Sequence, residues 1–148
     1  MILLRKFEKD DLDFIVKNFS YYFKEETREF IASTLDEWIN PSGDKIRFAR
    51  CIMLDNNPIG IISISEKERG VAGFGIAILE QYRNKGYGSE AFNLAKEEVK
   101  KLGITMIKSS CAYDNEASAK LHEKLGFYLA KIETNQAGNK MKRFELEL

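Results

Sequence analysis

Between Gly70 and Gly103 the chain reads GVAGFGIAILEQYRNKGYGSEAFNLAKEEVKKLG, and no other stretch limits the fold as strongly. Val71 to Leu79 is an apolar run of strand length, Glu80 to Gly88 a polar loop with two glycines, and the remainder predicts an amphipathic helix. Phe92, Ala95, Val99 and Leu102 recur at helical spacing among lysines and glutamates, and Gly103 supplies the stop. The first turn of such a helix leaves backbone N–H groups without partners at the positive end of its dipole. Gly86 and Gly88 let that backbone close on a bulky anion, while Arg83 and Lys85 add charge at the mouth, an arrangement suited to a pyrophosphate.

Three known loops compete for this pattern. Gly86-Tyr87-Gly88-Ser89-Glu90-Ala91 has the dinucleotide spacing G-x-G-x-x-A, but that motif sets its first glycine close behind the strand and an acidic residue about 20 positions later. Here a polar run intervenes, and the next strand carries Lys108, Ser109, Ser110 and Cys111 instead. The P-loop pattern fails because no Gly-Lys-Ser/Thr follows. What remains is Arg83-Asn84-Lys85-Gly86-Tyr87-Gly88, an R-x-x-G-x-G sequence that resembles the acetyl-coenzyme A pyrophosphate loop of the GNAT superfamily of N-acetyltransferases.

The rest of the chain reads as strand Ile2 to Phe7, a helix capped by Asp10 with Leu12, Ile15, Val16 and Phe19 inward, and a helix from Lys24 to Ile39. Strands are expected at Lys45 to Leu54 and Ile59 to Ser65 around an Asp55-Asn56-Asn57-Pro58 turn, then at 71–79 and Ile104 to Ala112. A helix over Asn115 to Leu125 precedes two strands, Phe127 to Glu133 and Lys140 to Leu148. The order β-α-α-β-β-β-α-β-α-β-β predicts an α/β (α+β) fold with helices on both faces of a mixed sheet. It is also the order of the GNAT fold, so the resemblance spans essentially the whole chain and implies a mostly antiparallel, twisted sheet of about seven strands. At 148 residues one N-acetyltransferase domain over 1–148 is expected.

A second constellation lies in Asn115-Glu116-Ala117-Ser118-Ala119-Lys120-Leu121-His122-Glu123-Lys124-Leu125-Gly126-Phe127. On a helix Asn115, Ser118 and His122 share one face, and Ala117, Leu121 and Leu125 an apolar one. Capping alone accounts for Asn115, and a solvated imidazole accounts for His122. The run nevertheless resembles the family segment N-x-x-[SA]-x-x-L-Y-x-x-x-G-F, with His122 where the family usually has tyrosine. The resemblance implies that Asn115 and Ser118 contact coenzyme A and that residue 122 is the acid that protonates the departing thiolate.

By the same resemblance the chain takes acetyl-coenzyme A as co-substrate and moves its acetyl group to a primary amine by direct attack. Ile78 and Leu79 are then main-chain contacts for the pantetheine arm, and Tyr82, Arg83, Asn84, Lys85, Gly86, Tyr87, Gly88 and Ser89 the pyrophosphate cradle. Glu80, with Glu66 and Glu68, flanks the strand as a candidate base, since the strand itself holds no carboxylate. Tyr21, Tyr22, Phe23 and Trp38, near Glu25, Glu26 and Glu29, offer an ammonium group cation–π and ionic contacts. The pattern is closest to the spermidine and ribosomal-protein N-terminal acetyltransferase branch, which leaves polyamines, small amines and peptide amines open, and a homodimer with them. The missing tyrosine motivates an alternative, a non-catalytic acyl-coenzyme A sensing domain.

Charge agrees with an anionic cofactor and an amine. Residues 1–44 hold 6 basic and 10 acidic side chains, a net of −4, and residues 45–148 hold 17 and 13, a net of +4. With no overall basic excess, nucleic acid is not an expected partner. No apolar run approaches a membrane span, and the opening Met1-Ile2-Leu3-Leu4 is too short for a signal peptide. Cys51 and Cys111 sit in apolar strands and are expected to be reduced core thiols of a cytoplasmic protein.

Overall fold

Asp55 and Asn56 take positive φ, 48° and 74°, and so form a two-residue turn whose twist matches the strands it joins. It connects β2 (Arg47–Leu54) to β3 (Asn57–Glu68), with Leu54 opposite Asn57. Pro58 therefore lies inside a strand rather than in the turn, at the irregularity beside Met53 where its missing N–H is tolerated. A computed structural model describes residues 1–148. Before this hairpin come β1 (Ile2–Arg5), α1 (Leu12–Phe19) and α2 (Arg28–Ile39); after it β4 (Val71–Ile78), α3 (Tyr87–Leu102), β5 (Met106–Ala112), α4 (Glu116–Lys124), β6 (Tyr128–Thr134) and β7 (Lys140–Glu147).

The seven strands form one mixed sheet in the order β1-β2-β3-β4-β5-β7-β6, antiparallel throughout except between β4 and β5. That parallel pair matches only Val71 with Met106 and Ala72 with Ile107 before the strands separate. A gap thus opens in mid-sheet.

Helices cover both faces, and each face has its own buried cluster. On one, α3 buries Ala91, Phe92, Ala95 and Val99 completely against Ile62, Ile64 and Ile107, with Ala119 of α4 and Leu125 at its end in the same cluster. On the other, α1 and α2 bring Ile15, Phe19, Ile31 and Leu35 onto Ala49, Cys51, Ile61 and Ala77. Alternation along β2 and β4 divides these sets, as a two-sided sheet requires. Both cysteines are buried and unpaired, and burial pushes the Cys51 thiol up to about 11.

Three helices depart from their expected form. α1 starts only at Leu12, after a 3-10 turn over Lys9–Asp11 that Glu8 and Asp11 close as a capping box, so Asp10 does not cap it. α2 begins four residues late because Thr27, not the Glu25–Glu26 pair, caps it by accepting the Phe30 N–H. α4 is rotated: Ala119, His122 and Leu125 face the core, whereas Ala117 and Leu121 face outward. The rotation satisfies both ring nitrogens of His122 and leaves Leu121 on a cavity wall.

Candidate active site

The hydrogen-bond phase of β4 determines which backbone groups reach the gap. The Leu79 N–H donates to the Ile59 carbonyl at 2.8 Å, and its own carbonyl accepts from Tyr82 at 2.9 Å, so both of its backbone groups are engaged. Antiparallel pairing alternates, so the even positions turn their N–H and C=O away from β3. The Gly70 carbonyl, which accepts from Thr105 and Met106, shows the same phase. Beyond Ala72, where β5 has diverged, Phe74, Ile76 and Ile78 thus present an unpaired strand edge to the gap. Of the two main-chain contacts expected here, Ile78 has the required orientation and Leu79 does not.

Along that edge runs a cavity of about 370 Å³. Ile76, Ala77 and Ile78 form its floor, and Leu121 and Lys124 of α4, with Leu125 at its end, one wall. Tyr82, Arg83, Asn84, Gly86, Tyr87, Gly88 and Ser89 form its loop end, and Tyr21 closes it from the opposite side. Asn84 and Gly86 both take positive φ, 61° and 85°, which turns the chain into α3 with Gly86 as N-cap. A Cβ at Gly86 would meet nothing within 4 Å, and one at Gly88 would touch only Ile76 and Ile78 at 3.6 and 3.9 Å. Side chains there would fill the cradle rather than collide with the fold. The lining carries Arg83 and Lys124 and no carboxylate, a donor set that fits an anion at the first turn of α3.

Arg83 is exposed, yet its guanidinium is hydrogen-bonded. Its Nε donates to the Ile78 carbonyl at 2.9 Å, and Nη2 to the Tyr21 hydroxyl at 3.1 Å. Lys85 is exposed beside the cavity without lining it.

His122 is 5% exposed and does not line the cavity. Nδ1 lies 2.7 Å from the Ser118 carbonyl and Nε2 2.8 Å from the Ser109 hydroxyl. A carbonyl only accepts, which assigns the proton to Nδ1 and leaves Nε2 to accept from Ser109. The ring stacks on Phe144 at 4.5 Å and meets Phe127 and Phe74 edge-on at 5.3 and 6.0 Å. Burial pushes its pKa below the ordinary value, against the opposing pull of the Ser118 carbonyl. Asn115 uses its side-chain oxygen to cap α4 at the Ser118 N–H, 3.1 Å away, and neither residue lines the cavity.

The flanking carboxylates are elsewhere. Glu80 is exposed at the start of a short 3-10 turn and outside the lining. Glu66 is held by the Gly70 and Ile46 N–H groups at 2.8 and 3.0 Å, which depress its pKa and fasten it as a clasp of the β3–β4 turn. The aromatic group is divided as well. Trp38 stacks on Phe7 at 5.2 Å and packs on Phe23, and Tyr22 lies over Gly75 with its hydroxyl 2.5 Å from that of Ser63. Burial pushes the Tyr22 phenol up to about 12. Only Tyr21 of the four lines the cavity.

The lining also includes Ile76, Ala77, Leu121, Lys124 and Leu125, which the sequence motifs do not single out as such. The alternation of β4 carried a signal for Ile76, and the exposure of Leu121 depends on the rotation of α4, which the sequence does not mark.

Residues 2–128 match the family model described as acetyltransferase (GNAT) domain. An SPbeta prophage-derived uncharacterized N-acetyltransferase, YokL, of Bacillus subtilis (strain 168) is 31% identical over 101 residues, covering 65% of this chain and 56% of its own length. The chain thus spans a little over half of that relative. Among solved structures, a dodecameric spermidine N-acetyltransferase from Vibrio cholerae superposes with a TM-score of 0.77 at 20% identity, covering 99% of this chain and 93% of its own. A GNAT-family acetyltransferase from Streptococcus pneumoniae gives 0.77 at 20% identity over 100% of both chains.

Proposed function

Because the chain belongs to the GNAT acetyltransferase family, we propose that it transfers an acetyl group from acetyl-coenzyme A to a primary amine, with a polyamine, a small amine or a peptide amine as acceptor. The observation that carries this reading is one cavity that joins an unpaired strand edge, at Ile76 and Ile78, to the glycine-opened first turn of α3.

The fit defines the division of labour. Backbone N–H groups at the start of α3, with Arg83 and Lys124, hold the phosphates, and the N–H and C=O groups of Ile76 and Ile78 hold the amides of the pantetheine arm as an added strand would. When bound, acetyl-coenzyme A supplies a thioester whose carbonyl carbon accepts the amine. The amine nitrogen forms the new C–N bond, the C–S bond breaks, the sulfur takes up a proton, and the nitrogen loses one. The chain contributes alignment of the two reactants, which alone accounts for much of such a rate. His122, which carries its proton on Nδ1 toward Ser118, acts here as the post that sets α4 against β5 and keeps Leu121, Lys124 and Leu125 in place.

The exposed Glu25, Glu26 and Glu29 after the Tyr21–Tyr22 turn, within a segment of net charge −4, favour a cationic acceptor. No helix is long and apolar enough to cross a membrane, and two unpaired buried thiols suit a reducing cytoplasm. The test is release of free thiol from acetyl-coenzyme A against polyamines, small amines and N-terminal peptides, with binding recorded alongside. Amine-dependent release is expected. Tight binding without release for any amine would replace this reading with the sensing domain, and no binding would overturn it.

A further inference from the structure

Two contacts of Arg83 link parts of the molecule that are far apart in sequence. The guanidinium occupies the Ile78 carbonyl through Nε and the Tyr21 hydroxyl through Nη2. Ile78 belongs to the unpaired edge of β4, and Tyr21 to the turn between α1 and α2 on the opposite side of the cavity. One side chain therefore bridges the mouth from the strand edge to the acceptor-side turn.

Nε and Nη2 form one edge of the guanidinium fork, and a phosphate that takes this edge displaces both of these oxygens. A charged phosphate forms the stronger, bidentate contact. A strand-like ligand also needs the Ile78 carbonyl that Arg83 Nε holds. Ligand entry thus calls for Arg83 to leave Ile78, and a guanidinium drawn to the cradle leaves Tyr21 as well.

We propose that Tyr21 is a positioning residue that holds Arg83 over the Ile78 carbonyl, so that filling the phosphate cradle releases both the strand edge and the Tyr21 hydroxyl. This rests on the acetyl-coenzyme A reading of the cavity. Tyr21 is a brake on cofactor entry and, once released, a free hydroxyl on the acceptor side of the same cavity. Occupancy of the two sides is thereby coupled through one hydrogen bond, and linkage makes the coupling reciprocal.

Tyr21 is 56% exposed, so Tyr21→Phe leaves the fold intact. The probe is coenzyme A itself, measured by titration calorimetry with the unaltered chain, Tyr21→Phe, Arg83→Lys and the double variant. Removal of a hydrogen bond that binding must break is expected to tighten coenzyme A by about two- to tenfold in Tyr21→Phe. In the Arg83→Lys background, where the fork that joins Ile78 to Tyr21 is gone, the same change is expected to have no effect. Weaker binding in Tyr21→Phe, or an equal gain in both backgrounds, overturns the coupling. Failure of every form, including the unaltered chain, to bind coenzyme A would overturn the acetyltransferase reading itself, a result distinct from unchanged affinity in Tyr21→Phe alone.

Discussion

Helix α3 is bounded by two glycines that are a natural pair for testing the cradle. Gly86 caps its start with φ of 85°, Gly103 caps its end with φ of 113°, and a Cβ at either would meet nothing within 4 Å. Alanine at either position is therefore expected to cost local strain of about 1–2 kcal/mol, no less at Gly103 than at Gly86, with no overpacking added. For a chain of this size that corresponds to a fall in Tm of about 2–8 °C. The two sites differ only in what they face. Gly86 lines the cavity, and Gly103 lies about 26 Å away along the helix at a rise of about 1.5 Å per residue. When the backbone at 86 relaxes from its left-handed conformation, the first-turn N–H groups turn from the cradle. Each lost bond to a charged phosphate is worth about 1.5–3 kcal/mol, or about 10- to 150-fold in Kd. Calorimetry with coenzyme A and a thermal melt on the same samples separate the two effects. Gly103→Ala should melt early and bind normally, whereas Gly86→Ala should melt early and bind poorly. Equal binding by the two variants would refute the placement of the phosphates at the start of α3.

A Cβ at Gly75 would lie 2.5 Å from the Tyr22 hydroxyl oxygen, so Gly75→Ala should destabilise by about 1–3 kcal/mol and Tyr22→Phe by about 1 kcal/mol. In urea unfolding the double variant should cost less than the two together, since the nearest of the clashing atoms is gone, although the ring carbons at 2.9 and 3.0 Å remain and keep part of the cost; strict additivity would contradict this contact. His122 is the chain's one histidine, and burial holds its folded-state pKa below the unfolded value of about 6.5. The unfolded chain thus takes the proton first: stability is intact above about pH 6.5 and falls as pH drops toward the folded-state pKa. His122→Asn should flatten that slope below about pH 6.5, and coincident slopes would remove His122 as its source.

What could be read from the sequence was local. The strand, loop and helix from Val71 to Leu102 follow from short-range periodicity and from two glycines whose effects act on their own neighbours. What could not be read depended on pairing. Leu79 and Ile78 are adjacent and equally apolar, yet the Leu79 bond to Ile59 gives them opposite backbone orientations. The β4–β5 gap depends on a register only two pairs long. In α4 two apolar stripes compete, Ala117–Leu121 and Ala119–Leu125, and His122 decides between them by finding Ser109 on a strand that its own helix does not predict. Counting that histidine as polar pointed its face outward. The start of α2 is not legible because Glu25 and Glu26 suit a helix dipole, while Thr27 makes the bond that ends the loop.

The position of the carboxylates leads to a pH dependence that any acceptor should share. Direct attack needs a neutral amine, and the cavity lining offers no carboxylate to deprotonate one. Glu80 is exposed outside the lining, Glu66 is clasped by two backbone N–H groups, and His122 is buried with both nitrogens engaged. The chain is then expected to draw the neutral amine from solution. Acetylation should rise about tenfold per pH unit until the pKa of the amine itself, so the inflection moves with the acceptor and not with the protein. At pH about 7 an α-amine of pKa about 8 is about 10% neutral, whereas an alkylamine of pKa about 10.4 is about 0.04% neutral. At equal intrinsic reactivity the α-amine gains more than a hundredfold from this source alone. The pH profiles of kcat/KM for two amines of well-separated pKa decide the matter. Inflections that track each amine support solution deprotonation, whereas one shared inflection well below both would identify a protein base that lies outside the cavity lining.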